Sequence, residues 1–165
     1  MDVVLSPYSS DLTGHDLTCR SAESVAETAV HAAIRHAVFV EEQGLFDGTD
    51  RDGFDTDRTT EHVLGFADCV PAGTVRLYRL PSDEPGERLW KGDRLAVLPQ
   101  YRHVGLGGPL VRYAITTARA VGGDRMIAFV QVANVAFFRH LGWSRVGEPF
   151  TYVGEPHQQM SIDLT

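Results

Sequence analysis

The sequence predicts a mixed α/β domain, a single sheet with helices packed on it. Three observations carry this. Two stretches place apolar residues at helical spacing, and a shorter one follows Asn134. Several short apolar runs bounded by Gly, Pro, Asp and Ser read as strands. The two kinds of segment interleave in the order β-α-ββ-β-α-β-α-β-β. At 165 residues the chain has the length of one domain, 1–165, with 1–16 as a peripheral segment.

Leu17–Arg20 predicts the first strand. Ser21 is the expected N-cap of a helix running to Val38, whose face is set by Val30, Ala33, Ile34, Ala37 and Val38. Asp47–Thr60 reads as a loop. His62–Cys69 and Thr74–Leu80 predict a hairpin turning at Pro71-Ala72-Gly73, and Leu89–Leu98 a longer strand ending at Pro99. After a glycine-rich turn, Pro109 suits a first helical turn. That helix runs to Val121 on a stripe of Leu110, Ala114, Ile115, Ala118 and Val121, and Gly122-Gly123 stops it. Met126–Val132 is a buried strand, Asn134–Leu141 a short helix, and Trp143–Val146 and Gln159–Leu164 the final strands.

Composition excludes several functions. The net charge of −7 argues against a phosphate-backbone binder, so no nucleic acid is expected. No apolar run approaches the ~20 residues of a membrane span, and Met1–Ser10 has no apolar leader, so a cytoplasmic protein is expected. Cys19 and Cys69 make neither a disulfide framework nor a CxxC pair, and His31, His36, His103 and His140 lack zinc spacing, so no metal is expected. The acidity is local: Asp47–Glu61 holds six acids and two arginines. Aligned on Gly53 as a calcium loop, its first and last ligands become Gly48 and Thr59, so that pattern fails. It reads either as a solvated loop or as a wall attracting a cationic amine.

The informative stretch runs from Leu95 to Gly108. A strand enters, a turn holds Gly105, Gly107 and Gly108, and a helix leaves. Free amides at a helix start and the positive end of its dipole favour phosphate, and glycines let backbone approach it. The Walker pattern is absent, and the Rossmann pattern lacks its third glycine. Arg102-x-x-Gly105-x-Gly107 resembles the acyl-CoA motif of GNAT N-acetyltransferases. Asn134-Val-Ala136-Phe-Phe-Arg-His-Leu141-Gly142-Trp143 is similar to that family's second signature. The resemblance covers roughly Leu17 to Leu164.

The resemblance implies a mostly antiparallel central sheet with a V-shaped splay between two central strands. It also implies acetyl-CoA as co-substrate. The pyrophosphate would lie on Arg102, His103, Val104, Gly105, Leu106, Gly107 and Gly108, and the pantetheine arm on Leu95, Ala96 and Val97. Asn134 and Phe138 would also meet the cofactor. Many members carry a tyrosine at the Phe138 position that protonates the leaving thiolate. Phenylalanine has no proton to give, which leaves solvent, Tyr101, Tyr113 or Tyr152.

Upstream, Arg35-His-Ala-Val-Phe39-Val-Glu41-Glu42-Gln43, Asp52-Gly-Phe-Asp55 and Glu61-His-Val-Leu resemble the ElaA-like branch. They also resemble acyl-homoserine-lactone synthases, as does Gly73-Thr-Val-Arg76-Leu77, but Lys91 stands where those synthases carry glutamate. The acceptor side is expected at Arg35, Phe39, Asp52, Asp55 and Arg76. Glu42, then Glu41 and Asp93, are candidate bases, since the attacking amine must lose a proton. The expected function is N-acetyl transfer from acetyl-CoA to a primary amine of a small molecule. A lactone-synthase-like acyltransferase and a CoA-binding module with weak or no catalysis are the alternatives. Exposed sheet edges in such a fold allow a homodimer.

Overall fold

The computed structural model describes residues 3–4 and 14–165. Eight strands form one sheet in the order β1-β2-β3-β4-β5-β6-β8-β7. They are β1 (Val3–Val4), β2 (Leu17–Ser21), β3 (Glu61–Ala67), β4 (Val70–Leu80), β5 (Leu89–Val97), β6 (Arg125–Gln131), β7 (Ser144–Tyr152) and β8 (Glu155–Asp163). Every pairing is antiparallel except β5 with β6. Of the 1–16 segment, residues 1–2 and 5–13 lie outside the described residues.

Helix α1 (Val25–Arg35) is capped by Ser24, whose side chain accepts from the Glu27 amide, rather than by Ser21, which ends β2. It continues as a π-helix over His36–Glu42. The buried stripe of this region is His31, Ile34, Arg35, Val38 and Phe39, while Val30 and Ala33 face solvent. Two polar residues thus hold positions that an apolar count assigns to neighbours. The β3–β4 hairpin turns at Asp68-Cys69, not at Pro71–Gly73. Both turn residues have positive φ, the twist that two-residue hairpins favour.

Helix α2 (Gly107–Ala120) buries Leu110, Val111, Tyr113, Ala114, Ile115 and Ala118 against the sheet, and Val121 is exposed just beyond its end. Its first turn lies on β3 and β4. A Cβ at Gly65 or Gly73 would come within 2.9–3.1 Å of Leu106 or Leu110 side chains, so those glycines serve packing. Helix α3 (Val135–His140) is short, and Phe138 packs edge-on to Trp143. The last hairpin, β7–β8, extends through Tyr152 and Glu155, well past the expected final strands.

The strands β5 and β6 pair only at Leu89–Arg125, Trp90–Met126 and Lys91–Ile127. Beyond Lys91 they part. Near that point β5 also shifts register against β4 between Thr74 and Arg76, where Arg94 takes a φ of 53° and Thr74 Oγ1 donates to its carbonyl. Such a bulge bends its strand and re-aims its side chains. The parted strands leave a wedge-shaped opening in the sheet.

Candidate active site

The wedge is the mouth of a cleft of about 870 Å³, counted out to open solvent. Leu95, Val111, Asn134, Phe138 and Trp143 line its α2 side and rim. Phe39, Phe46, Lys91, Phe129, Tyr152 and His157 also line it. Of the residues expected at the site, Phe39, Asp93, Leu95, Asn134 and Phe138 meet here. Ala96 and Val97 continue β5 beside it.

The glycine turn expected to hold phosphate sits at the end of β5. Residues Pro99–Val104 form a 3-10 helix, carrying Arg102 and His103 in its last turn, and Gly105 follows in the left-handed region at φ 78°. No side chain caps α2, so its opening amides lack a side-chain partner. Val104 and Leu106 are buried and anchor the turn. A Cβ at Gly107 would meet only Phe137, at 3.5 Å, so packing does not demand glycine there. The Trp143 indole N–H is buried in the cleft wall without a hydrogen-bond acceptor among the described residues. A ligand carbonyl or amide would satisfy it. Uncapped amides and an open glycine at the end of β5, with an orphan donor in the cleft wall, fit the acyl-CoA that the resemblance implies.

Two of the three expected bases are committed to arginines. Glu42, on the π-helix, receives both terminal nitrogens of Arg102 at 2.6 and 2.5 Å, and the guanidinium holds its carboxyl below the usual range. Glu41 is exposed and lies 3.5 Å from His36. Asp93 accepts from Arg76 Nε and Nη2 at 2.8 and 2.7 Å and from Tyr78 at 2.9 Å.

Three acids of the loop, Asp50, Asp52 and Asp55, are paired with arginines from inside. Arg35 donates to Asp50 at 2.7 Å and to Asp55 at 2.6 and 3.1 Å. Arg76 holds Asp52 at 2.7 and 3.1 Å, and Arg94 reaches Asp50 at 2.9 Å. Arg35 and Arg76 are at most 1% exposed. Burial opposes the charge on Asp55, but hydrogen bonds from Arg35, the Asp52 amide and His62 outweigh it and hold the carboxyl far below the usual range. The expected wall for a cationic amine is therefore a set of ion pairs fastening residues 50–55 to α1, β4 and β5. Charge density in the sequence cannot show that its counter-ions come from distant strands. Among the described residues no group of three or more His, Cys, Asp or Glu is arranged to hold a metal ion. No helix there is long and apolar enough to cross a membrane.

Two cleft residues carry no spacing signal in the sequence. His157, on β8, donates from Nδ1 to the Glu155 carbonyl at 2.9 Å, which leaves the lone pair on Nε2. Lys91 is the chain's single lysine. Of the three tyrosines considered as acids, Tyr152 lines the cleft, while Tyr113 is buried on the sheet-facing side of α2.

A splayed sheet with a glycine turn at the end of the splayed strand is the arrangement that the resemblance to acyl-CoA-dependent transferases implies. The comparisons agree. The model of the Acetyltransferase (GNAT) family matches residues 25–143. The chain is 32% identical over 139 residues to the Bacillus subtilis (strain 168) protein named "Putative acetyltransferase BSU40680", covering 82% of this chain and 90% of that one. Among solved structures, Escherichia coli ElaA superposes with a TM-score of 0.74 at 24% identity, over 89% of this chain and 98% of that one. The CoA-dependent acyl-homoserine lactone synthase BjaI, solved with SAM and isopentyl-CoA, gives 0.70 at 20% identity, over 89% and 82%. The protein belongs to the GNAT family of acetyltransferases and is an acyltransferase.

Proposed function

We propose that this enzyme transfers an acetyl group from acetyl-CoA to the primary amine of a small molecule. The parting of β5 from β6 beside the uncapped glycine turn is the observation that carries the reading. Acetyl-CoA supplies an acyl group activated as a thioester. The amides of Leu106–Gly108, with Arg102, bind its pyrophosphate. The free edge of β5 at Leu95–Val97 receives the pantetheine arm, and its amides stabilise the oxyanion that forms as the amine adds to the thioester carbonyl.

We assign the base to His157 rather than to Glu42 or Asp93. Its Nε2 takes the proton that the amine loses on forming the new C–N bond. The C–S bond then breaks, and the thiolate regains a proton from water or from the Tyr152 hydroxyl, since Phe138 has none to give. Thiol release from acetyl-CoA against a panel of amines tests the reading. Amine-dependent release with an N-acetyl product supports it. Stabilisation by acetyl-CoA with no release from any amine favours the binding-module reading, which Phe138 keeps in play.

A further inference from the structure

Lys91 is the most unusual group in the cleft. It stands at the vertex of the wedge, on the last residue pair before β5 and β6 separate. Its side chain is nine-tenths buried, at 9% exposure. Among the described residues its ammonium makes no hydrogen bond and no ion pair. It lies 4.0 Å above the centre of the Phe129 ring and 5.8 Å from that of Tyr152. Asp93, two residues along the same strand, spends its carboxylate on Arg76 and Tyr78.

A buried ammonium with ring faces but no hydrogen bond or ion pair is costly. Cation–π contact returns about 0.5–2 kcal/mol, against a desolvation cost of several kcal/mol per ion. Burial accordingly pushes the Lys91 ammonium below its ordinary range. What the site lacks is an anion, and the cleft is open to deliver one.

We propose that Lys91 binds the carboxylate of the acceptor, so that the amine acetylated here belongs to an amino acid with an apolar or aromatic side chain. The proposal deepens the acetyl-transfer reading and rests on it for the fate of the amine. Tyr152 links the two ends of the acceptor site. Its ring lies 5.8 Å from the Lys91 ammonium and 5.2 Å from the His157 ring. An α-amino acid laid along that wall presents its carboxylate to Lys91 and its amine to His157. Phe129, Phe39 and Phe46 offer apolar surface to the side chain. The acidic loop does not compete for the amine, because its inward carboxylates are paired with arginines.

A chain with one lysine makes the test direct. Protein carrying [ε-13C]lysine gives a single side-chain resonance, which is followed while phenylalanine, leucine, phenethylamine or isopentylamine is added to millimolar concentration. The two amino acids should move the Lys91 signal and raise its titration midpoint, and the two decarboxylated amines should not. Equal shifts from acids and amines, no shift from either acid, or full displacement by CoA alone would each overturn the proposal. In the second arm the wild type should acetylate each amino acid with a kcat/KM about tenfold or more above that of its decarboxylated partner, the worth of a charge-assisted hydrogen bond. Lys91→Met should lose that preference. Removing an unpaired buried charge should leave the fold intact, checked by stabilisation of the variant with CoA. A preference that survives in Lys91→Met counts against the assignment. If no amine is acetylated, the transfer reading falls, while the lysine signal still decides whether the carboxylate site exists.

Discussion

Arg102 of the glycine turn and Glu42 of the π-helix form a two-point ion pair at 2.6 and 2.5 Å. The guanidinium also donates from Nε to the Val97 carbonyl at 3.0 Å. The charge proposed for the CoA pyrophosphate is thus held by a carboxylate of the π-helix. Both side chains are partly exposed, so the pair is worth about 0–1 kcal/mol and is weak enough for a phosphate to displace.

Glu42→Gln therefore separates two roles. If Glu42 competes with phosphate for Arg102, the substitution should tighten CoA binding about two- to fivefold and leave kcat close to wild type. If Glu42 is the base, kcat should fall while CoA affinity stays constant. Calorimetry with CoA, alongside steady-state rates, tells them apart.

Gly107→Val should abolish CoA binding in a folded protein. A Cβ there meets only Phe137 within 4 Å, so what the valine obstructs is the proposed path of the pyrophosphate. Gly105→Val is a poorer probe, since a β-branched residue at φ 78° is strained whatever binds nearby. A melting temperature close to wild type together with lost CoA affinity is the expected result for Gly107→Val. Retained affinity would remove the turn from the cofactor site.

Asp50→Ala should destabilise the fold by about 3–5 kcal/mol, because it strips a shared carboxylate from buried Arg35 and Arg94. Chemical denaturation reads this directly. A loss below about 1 kcal/mol would mean that the loop is held by something other than its ion pairs.

Acid should weaken the fold through His31. The ring is fully buried, bonds the Val75 carbonyl through Nε2 at 3.1 Å and stacks edge-on to His62. Burial drives its pKa down to about 3, with the Val75 carbonyl opposing and the nearby His62 and Arg35 adding to the depression. The unfolded chain takes up this proton near pH 6.5 and the folded chain does not, so folded stability falls as pH falls. Its contribution is complete above pH ~6.5 and is lost at about 1.4 kcal/mol per pH unit down toward pH 3. Denaturation midpoints at several pH values, in wild type and in His31→Leu, should show a shallower acid slope in the variant.

Much of the fold is legible in the sequence because period and punctuation agree. The stripe Leu110, Ala114, Ile115 and Ala118 is a buried helix face, and the glycine turn lies where Arg102 to Gly108 place it. The misplacements have physical causes. Asp68 and Cys69 adopt positive φ without a glycine to announce it, which hides the hairpin turn. His31 and Arg35 are buried although polar, because each finds a partner far away in the chain. Lys91 and His157 meet in one cleft only because β5, β6 and β8 are neighbours in the sheet. Paired charges such as Arg76 with Asp93 are likewise products of strand register, which local sequence does not encode.

The wedge between β5 and β6 is the proposed acyl-transfer site, and a crystal structure of the protein with acetyl-CoA decides whether it is. Pyrophosphate is expected on the Leu106–Gly108 amides, with Arg102 released from Glu42 and the thioester between the parted strands beyond Lys91. Acetyl-CoA bound elsewhere, or absent from the wedge at saturating concentration, would overturn the proposal.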